Sequence, residues 1–123
     1  MKKRLRVYIC GPITGIPGGN FTTFEDAEYM LHSLGYNTVN PHDICAHLDQ
    51  SSSHKEFMAV CLPELLRCDI VATLPGFEDS KGCKMEVDIA RQYEGEIDVV
   101  NIFKLSGIKE DEYLAKMRKE QSL

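Results

Sequence analysis

Glu86 is the residue whose type and position point most directly to chemistry. On a wheel of 100° per residue, Gly82, Cys83, Val87, Ile89, Ala90 and Tyr93 form one apolar arc. Lys81, Lys84, Asp88, Arg91 and Gln92 occupy the opposite arc. Glu86 falls near the middle of the apolar one, a turn from Gly82 on one side and from Ala90 on the other. A carboxylate turned toward a sheet costs several kcal/mol unless it is paired or lies in a solvated pocket. Such a break in pattern marks a site. The structural alternative is a glutamate tied to a buried arginine or to backbone donors.

Ser80 opens the same segment, with Gly82 two residues on and Lys81 and Lys84 beside it. Free N–H groups at a helix start, a hydroxyl and two ammonium groups suit an anion. Serine is also an ordinary N-cap. It gains weight as a ligand by standing one and a half turns before Glu86. That spacing suits a nucleoside monophosphate, with its phosphate at Ser80 and a sugar carbon at Glu86.

The second glycine-dense segment is GPITGIPGGN, residues 11–20. It lacks the spacing of a dinucleotide fingerprint, and no Gly-Lys-Ser/Thr follows as in a P-loop. Its glycines still let backbone approach a ligand closely. Gly11, Pro12, Ile13, Thr14 and Gly15 are therefore expected to cradle one. Tyr8, just before them, either presents its hydroxyl in the pocket or packs in the core, and the sequence leaves both open.

These groups need a scaffold. Leu5–Cys10, Tyr36–Asn40, Asp69–Leu74 and Ile97–Phe103 read as strands, short and β-rich, most of them stopped by Pro or Gly-Pro. Phe24, Ala27, Leu31 and Leu34 recur at helical spacing between Asn20 or a Thr22/Glu25 capping box and Gly35. His54–Cys68 is helical by Phe57, Cys61 and Leu65, with Pro63 expected to kink or restart it. Helices are also expected over 80–93 and over the charged tail 109–120, acids first and bases last. Residues 42–53 read as a mobile polar loop.

Strands alternating with helices predict a single α/β domain over 1–123. The expected architecture is an open parallel sheet of four to five strands, order 2-1-3-4, with helices on both faces, Rossmann- or flavodoxin-like. Ligands in such sheets bind beyond the carboxyl ends of the strands at the switch point. There the loops 11–19 and 76–82 would converge.

A chain of 123 residues that is 43% hydrophobic and 27% charged can own a core and is not disordered. The net charge of −5 argues against a nucleic-acid partner. Lys2, Lys3, Arg4 and Arg6 form a basic leader, read as a solvated end before the first strand. Its apolar stretch is too short for a signal peptide, and no run is long enough for a membrane span. The five cysteines, Cys10, Cys45, Cys61, Cys68 and Cys83, are odd in number, contain no CxxC and sit in apolar runs. That is how reduced thiols look, so a cytoplasmic location is expected. His42, Cys45 and His47 are too loosely spaced for zinc and lack a second ligand pair, so no metal is expected.

Tyr8 with CGPITG (10–15), Asn40-Pro41, Cys68-Asp69, LPGFEDSKGCKME (74–86) and Ala90 resemble the nucleoside 2-deoxyribosyltransferase-like superfamily. The likeness covers roughly residues 5–103 and is nearest to its small, often phage- or prophage-borne, uncharacterised branch. The resemblance implies that Glu86 attacks an anomeric carbon and forms a glycosyl-enzyme intermediate, with Tyr8 as a positioning group. Ser80 matches the phosphate-binding serine of the 2′-deoxynucleoside 5′-monophosphate N-glycosidases, where the transferases carry an acid. The family also implies a homodimer or larger homo-oligomer with sites near the subunit interface, and neither metal nor organic cofactor.

Two departures stand out. The family's proton-donating aspartate is matched by Cys61, which leaves Glu64, Asp69, Glu78 or Asp79 as substitutes. Pro12 and Thr14 stand where the monophosphate hydrolases carry a serine and an arginine. Asn101, at the end of the fourth strand, is either a ligand contact or a strand-end turn residue. The expected activity is hydrolysis of a (deoxy)nucleoside 5′-monophosphate. The alternatives are a nucleotide or ADP-ribose-like signal-binding protein and a 2-deoxyribosyltransferase.

Overall fold

Val7, Tyr8, Ile9 and Cys10 are all buried, as befits a strand with neighbours on both sides and helices on both faces. They form most of β1 (Arg6–Cys10) in a computed structural model that describes residues 4–49, 51–109, 111, 112 and 115. The other strands are β2 (Asn37–Val39), β3 (Ile70–Thr73) and β4 (Asp98–Asn101). All pairings are parallel and the order is β2-β1-β3-β4, as expected from the sequence. Tyr8 stands opposite Val39 on one side and Val71 on the other, and Cys10 opposite Thr73.

Side chains alternate across a strand, and the two faces of the sheet build two cores. Val7, Ile9, Ile70 and Ala72 pack under α1 (Phe21–Ser33), through Phe24, Ala27 and Leu31, and under Ile102 of α5 (Ile102–Ser106). Tyr8, Cys10 and Val71 face the other way. They meet Cys61 and Leu65 of α3 (His54–Leu65) and Cys83, Val87 and Ala90 of α4 (Lys81–Arg91). Each fully buried aliphatic side chain contributes about 1.5–3 kcal/mol, so these two layers fix where α4 lies against β1.

Element boundaries depart from expectation where a side chain takes a local partner. Asn20 precedes α1 with a left-handed φ of 63° and donates to the Pro12 carbonyl at 3.1 Å instead of capping the helix. The first residue of α1 is Phe21, so Thr22 and Glu25 lie inside it and form no capping box. The strand expected over 97–103 ends at Asn101, whose side chain accepts from the Lys104 N–H at 2.9 Å and starts α5. Residues 42–53 are not wholly irregular. Asn40 accepts from the His42 N–H at 2.9 Å and caps the short α2 (Pro41–Ile44).

Ser53 caps α3 by accepting from the Glu56 N–H at 3.2 Å. Pro63 lies in the last turn of α3, which runs through it without a restart and ends at Leu65. Of the tail helix expected over 109–120, all but Lys109, Asp111, Glu112 and Ala115 lies outside the described residues, as do Met1–Lys3 of the leader. Among the described residues no helix is long and apolar enough to cross a membrane.

Candidate active site

Glu86 is 7% exposed. Its helix is fixed at the start by Ser80, whose Oγ accepts from the Cys83 N–H at 3.3 Å. From there the helical period carries Cys83, Glu86, Val87 and Ala90 onto the buried face. The carboxylate meets β1. The Tyr8 hydroxyl donates to its Oε2, and the Cys10 thiol lies 3.9 Å from its Oε1. Tyr8 and Cys10 reach the same group because residues two apart share one face of a strand.

The donors to Glu86 are neutral. Among the described residues no lysine or arginine forms an ion pair with it. The buried-arginine alternative is therefore absent. Burial pushes the carboxyl up to about 7, while the Tyr8 and Cys10 hydrogen bonds pull it down. The Tyr8 hydroxyl is itself raised well above its usual value, chiefly by burial and then by the charge of Glu86. It stays protonated and remains a donor. A carboxylate with a pKa near neutrality and few partners is a better nucleophile than a solvated one.

The loops after β1 and β3 meet beside this pair. The Leu74 N–H donates to the Cys10 carbonyl at 2.8 Å. A Cβ on Gly11 would stand 2.6 Å from Leu74 Cδ1, so glycine is what allows the two segments to touch. Gly76, with φ of 85°, brings its α-carbon against Pro12, where a Cβ would be 3.6 Å from Pro12 Cγ. Gly11 and Pro12 are buried, while Ile13, Thr14 and Gly15 are exposed. The base of the loop is thus packed and its tip is free. An open cleft of about 300 Å³ lined by Ile16, Pro17, Gly18, Asn20, Phe21, Thr22 and Thr23 flanks the start of α1; Glu86 does not line it.

Residues 5–99 match the family described as Domain of unknown function (DUF4406). The chain belongs to the DUF4406 family. The match holds Tyr8, the 11–15 loop, Ser80, Gly82 and Glu86, and it ends before Asn101. No curated protein matches the chain.

Within this DUF4406 domain the other expected site residues separate into two ends of the sheet. Asp69 precedes β3 and accepts from the Arg6 N–H at 2.9 Å, at the amino ends of the strands. Glu64 pairs with Arg6 at 3.5 Å and with Arg67 at 2.7 Å. Neither shares a partner with Glu86. Asn101 spends its side-chain oxygen on capping α5, the structural one of its two expected roles. Glu78 and Asp79 are exposed in a short 3-10 turn, Phe77–Asp79, before Ser80. Lys81 and Lys84 are exposed on the first turn of α4.

Cys61, at the position expected for an acid, lies beside Tyr8 with its Sγ 3.5 Å from that of Cys45. Burial pushes the Cys61 thiol up to about 12. Efficient proton donation needs a pKa near the working pH, so this thiol is a poor acid. Cys10, Cys83 and Glu86 each place a potential donor atom within 4.8 Å of the others, a spacing that would fit a metal ion. Metal binding needs thiolates. Hydrogen bonding to Cys83, followed by burial, raises the Cys10 thiol far above its usual range, while hydrogen bonding to Cys10 lowers that of Cys83. The trio His42, Cys45 and His47 is not gathered: His42 Nε2 lies 2.8 Å from the Gly19 carbonyl, and Cys45 faces Cys61.

The sequence did not single out His54. Its Nε2 lies 2.9 Å from where a Gly82 Cβ would stand, which puts the imidazole edge on the first turn of α4. A histidine just after the Ser53 cap of α3 was a visible signal; its contact with Gly82 is tertiary and was not.

Proposed function

We propose that this chain cleaves the N-glycosidic bond of a nucleotide, a (deoxy)nucleoside 5′-monophosphate, with Glu86 as the nucleophile. The observation that carries the reading is the buried Glu86 carboxylate held by the Tyr8 hydroxyl at the switch point of a parallel sheet. The sequence likeness to the nucleoside 2-deoxyribosyltransferase-like superfamily supports the same assignment. Tyr8 engages one carboxylate oxygen and orients the other toward the anomeric carbon. Attack forms an ester between Glu86 and the sugar, and the base leaves with the bonding electrons and takes a proton. Water then attacks the same carbon and frees the carboxylate.

Ser80, Gly82 and the 11–15 loop form the proposed phosphate cradle, at the start of α4 and beside Gly11. Serine at position 80, in place of the acid of the transferases, favours hydrolysis of a phosphorylated substrate over base transfer between nucleosides. The proposed assembly is a homo-oligomer with sites near the subunit interface. All five thiols are free and buried, which suits the proposed reducing, cytoplasmic setting. The second reading, a protein that binds a nucleotide or ADP-ribose-like signal with little turnover, is favoured by one observation. The thiol at the expected acid position is pushed up to about 12.

Incubation with a panel of nucleosides and nucleoside 5′-monophosphates, with free base followed by chromatography, separates these readings. Base released from monophosphates by the wild type and not by Glu86→Gln supports hydrolysis. Silence across the panel, with a nucleotide still raising the melting temperature, supports the binding protein.

A further inference from the structure

We infer that Cys45 and Cys61 are a redox pair, two thiols that a small-molecule disulfide oxidises to a reversible bond between the end of α2 and the middle of α3. Their sulfurs lie 3.5 Å apart. A disulfide is about 2.0 Å long, so each sulfur needs to move by less than about 1 Å. The residues are 16 apart in sequence and pack in one buried cluster. The contact is thus made by the docking of α2 on α3 and not by neighbours on one helix.

The other cysteines are placed differently. The Cys68 thiol donates to the Glu64 carbonyl at 3.3 Å. The Cys10 sulfur lies 3.8 Å from the Cys83 carbonyl and 3.9 Å from Glu86 Oε1. Cys45, 9% exposed, is the most accessible of the five. It closes the four-residue α2 and is followed by the exposed Ala46 and His47. A dissolved oxidant therefore meets Cys45 first. Burial raises both thiols, Cys61 to about 12, but hydrogen bonding to Cys61 opposes the rise at Cys45. Cys45 is the attacking sulfur and Cys61 the resolving one.

The exchange balances with the oxidant as its one co-reactant. The Cys45 thiolate attacks one sulfur of the oxidant, forms a mixed disulfide and expels the other half as thiolate. The Cys61 thiolate then attacks the Cys45 sulfur and expels the second half. The two protons lost by the protein thiols end on the two released thiolates. Two protein thiols are oxidised and one small disulfide is reduced to two thiols. The bond would pin residues 46–60 as a closed loop. Cys61 lies beside Tyr8, whose hydroxyl holds Glu86, so the bond also replaces a thiol hydrogen one side chain from that carboxylate.

The test incubates the reduced, folded protein with glutathione disulfide at pH 8, quenches with acid, alkylates the remaining thiols and maps the peptides by mass spectrometry. Wild type is expected to yield a peptide pair joined through Cys45 and Cys61, with Cys10, Cys68 and Cys83 alkylated. Its melting temperature is expected to rise by about 10 °C on oxidation and to return with dithiothreitol. Cys61→Ser is expected to stop at a glutathione adduct on Cys45, and Cys68→Ser to oxidise as wild type does. Five alkylated thiols in wild type after prolonged oxidation would overturn the assignment. A bond between any other two cysteines of the folded chain would do the same. The wild-type map alone decides, and no substrate enters the experiment, so the outcome is independent of what Glu86 does.

Discussion

The Tyr8 hydroxyl on β1 donates to the Glu86 carboxylate on α4, joining residues 78 apart in sequence. Tyr8 lies in the middle of β1, one of the two inner strands, and is fully buried, so the donor cannot follow the solvent. Burial raises the Glu86 pKa and this hydrogen bond opposes the rise. The pair therefore sets the ionisation of the carboxylate as well as its direction.

Removing the hydroxyl has a signed consequence. Nucleophilic attack needs the ionised form, so wild-type kcat/KM is expected to rise with pH and level off above about 7. Tyr8→Phe removes a donor to the charged form, and the rising limb moves to higher pH. A hydrogen bond to a charged group contributes about 1.5–3 kcal/mol, so the loss at pH 6 is about tenfold or more, with recovery on the alkaline side. A pH–rate profile of the two proteins checks this, and an unshifted limb would contradict it.

The same carboxyl ties stability to pH. Its pKa is about 7 in the folded chain against a reference of 4.5, so between these values the native state holds more protons than the unfolded one. Stability therefore falls as pH rises through that window, and the full cost is present above it. The cost is on the order of 3 kcal/mol. Glu86→Gln is expected to remove the slope and to be the more stable protein at pH 8, in urea melts run at pH 5 and pH 8. Parallel slopes in the two proteins would count against the buried, cation-free site.

Gly11 tests the contact between the two loops. A Cβ at that position would fall 2.6 Å from Leu74 Cδ1 and 2.9 Å from Leu74 Cβ. Gly11→Ala is expected to cost about 1–3 kcal/mol by overpacking. The double variant with Leu74→Ala should cost less than the two single changes together. Strict additivity in thermal or urea melts would show that the loops do not press on each other there.

Much of this arrangement was legible in the sequence because periodicity reports burial. The strand order followed from alternating elements, and Phe24, Ala27 and Leu31 marked the buried stripe of α1. Glu86 stood out because one acid lay on an apolar arc. Asp69 was legible in principle: a residue just before a parallel strand lies at the amino end, away from the ligand side. Asn101 read as part of a strand because its β-rich neighbours outweighed a single capping side chain. The approach of His54 to Gly82 depends on how α3 and α4 pack, and no local pattern encodes that distance.

The central claim is that Glu86 becomes covalently bonded to the sugar. Rapid acid quenching of a reaction with a cleaved nucleoside 5′-monophosphate, followed by mass spectrometry of the peptides, tests it directly. The account predicts a sugar-phosphate adduct on the peptide that carries Glu86, formed by the wild type and missing from Glu86→Gln. An adduct on another residue, or base release by Glu86→Gln at the wild-type rate, would contradict it.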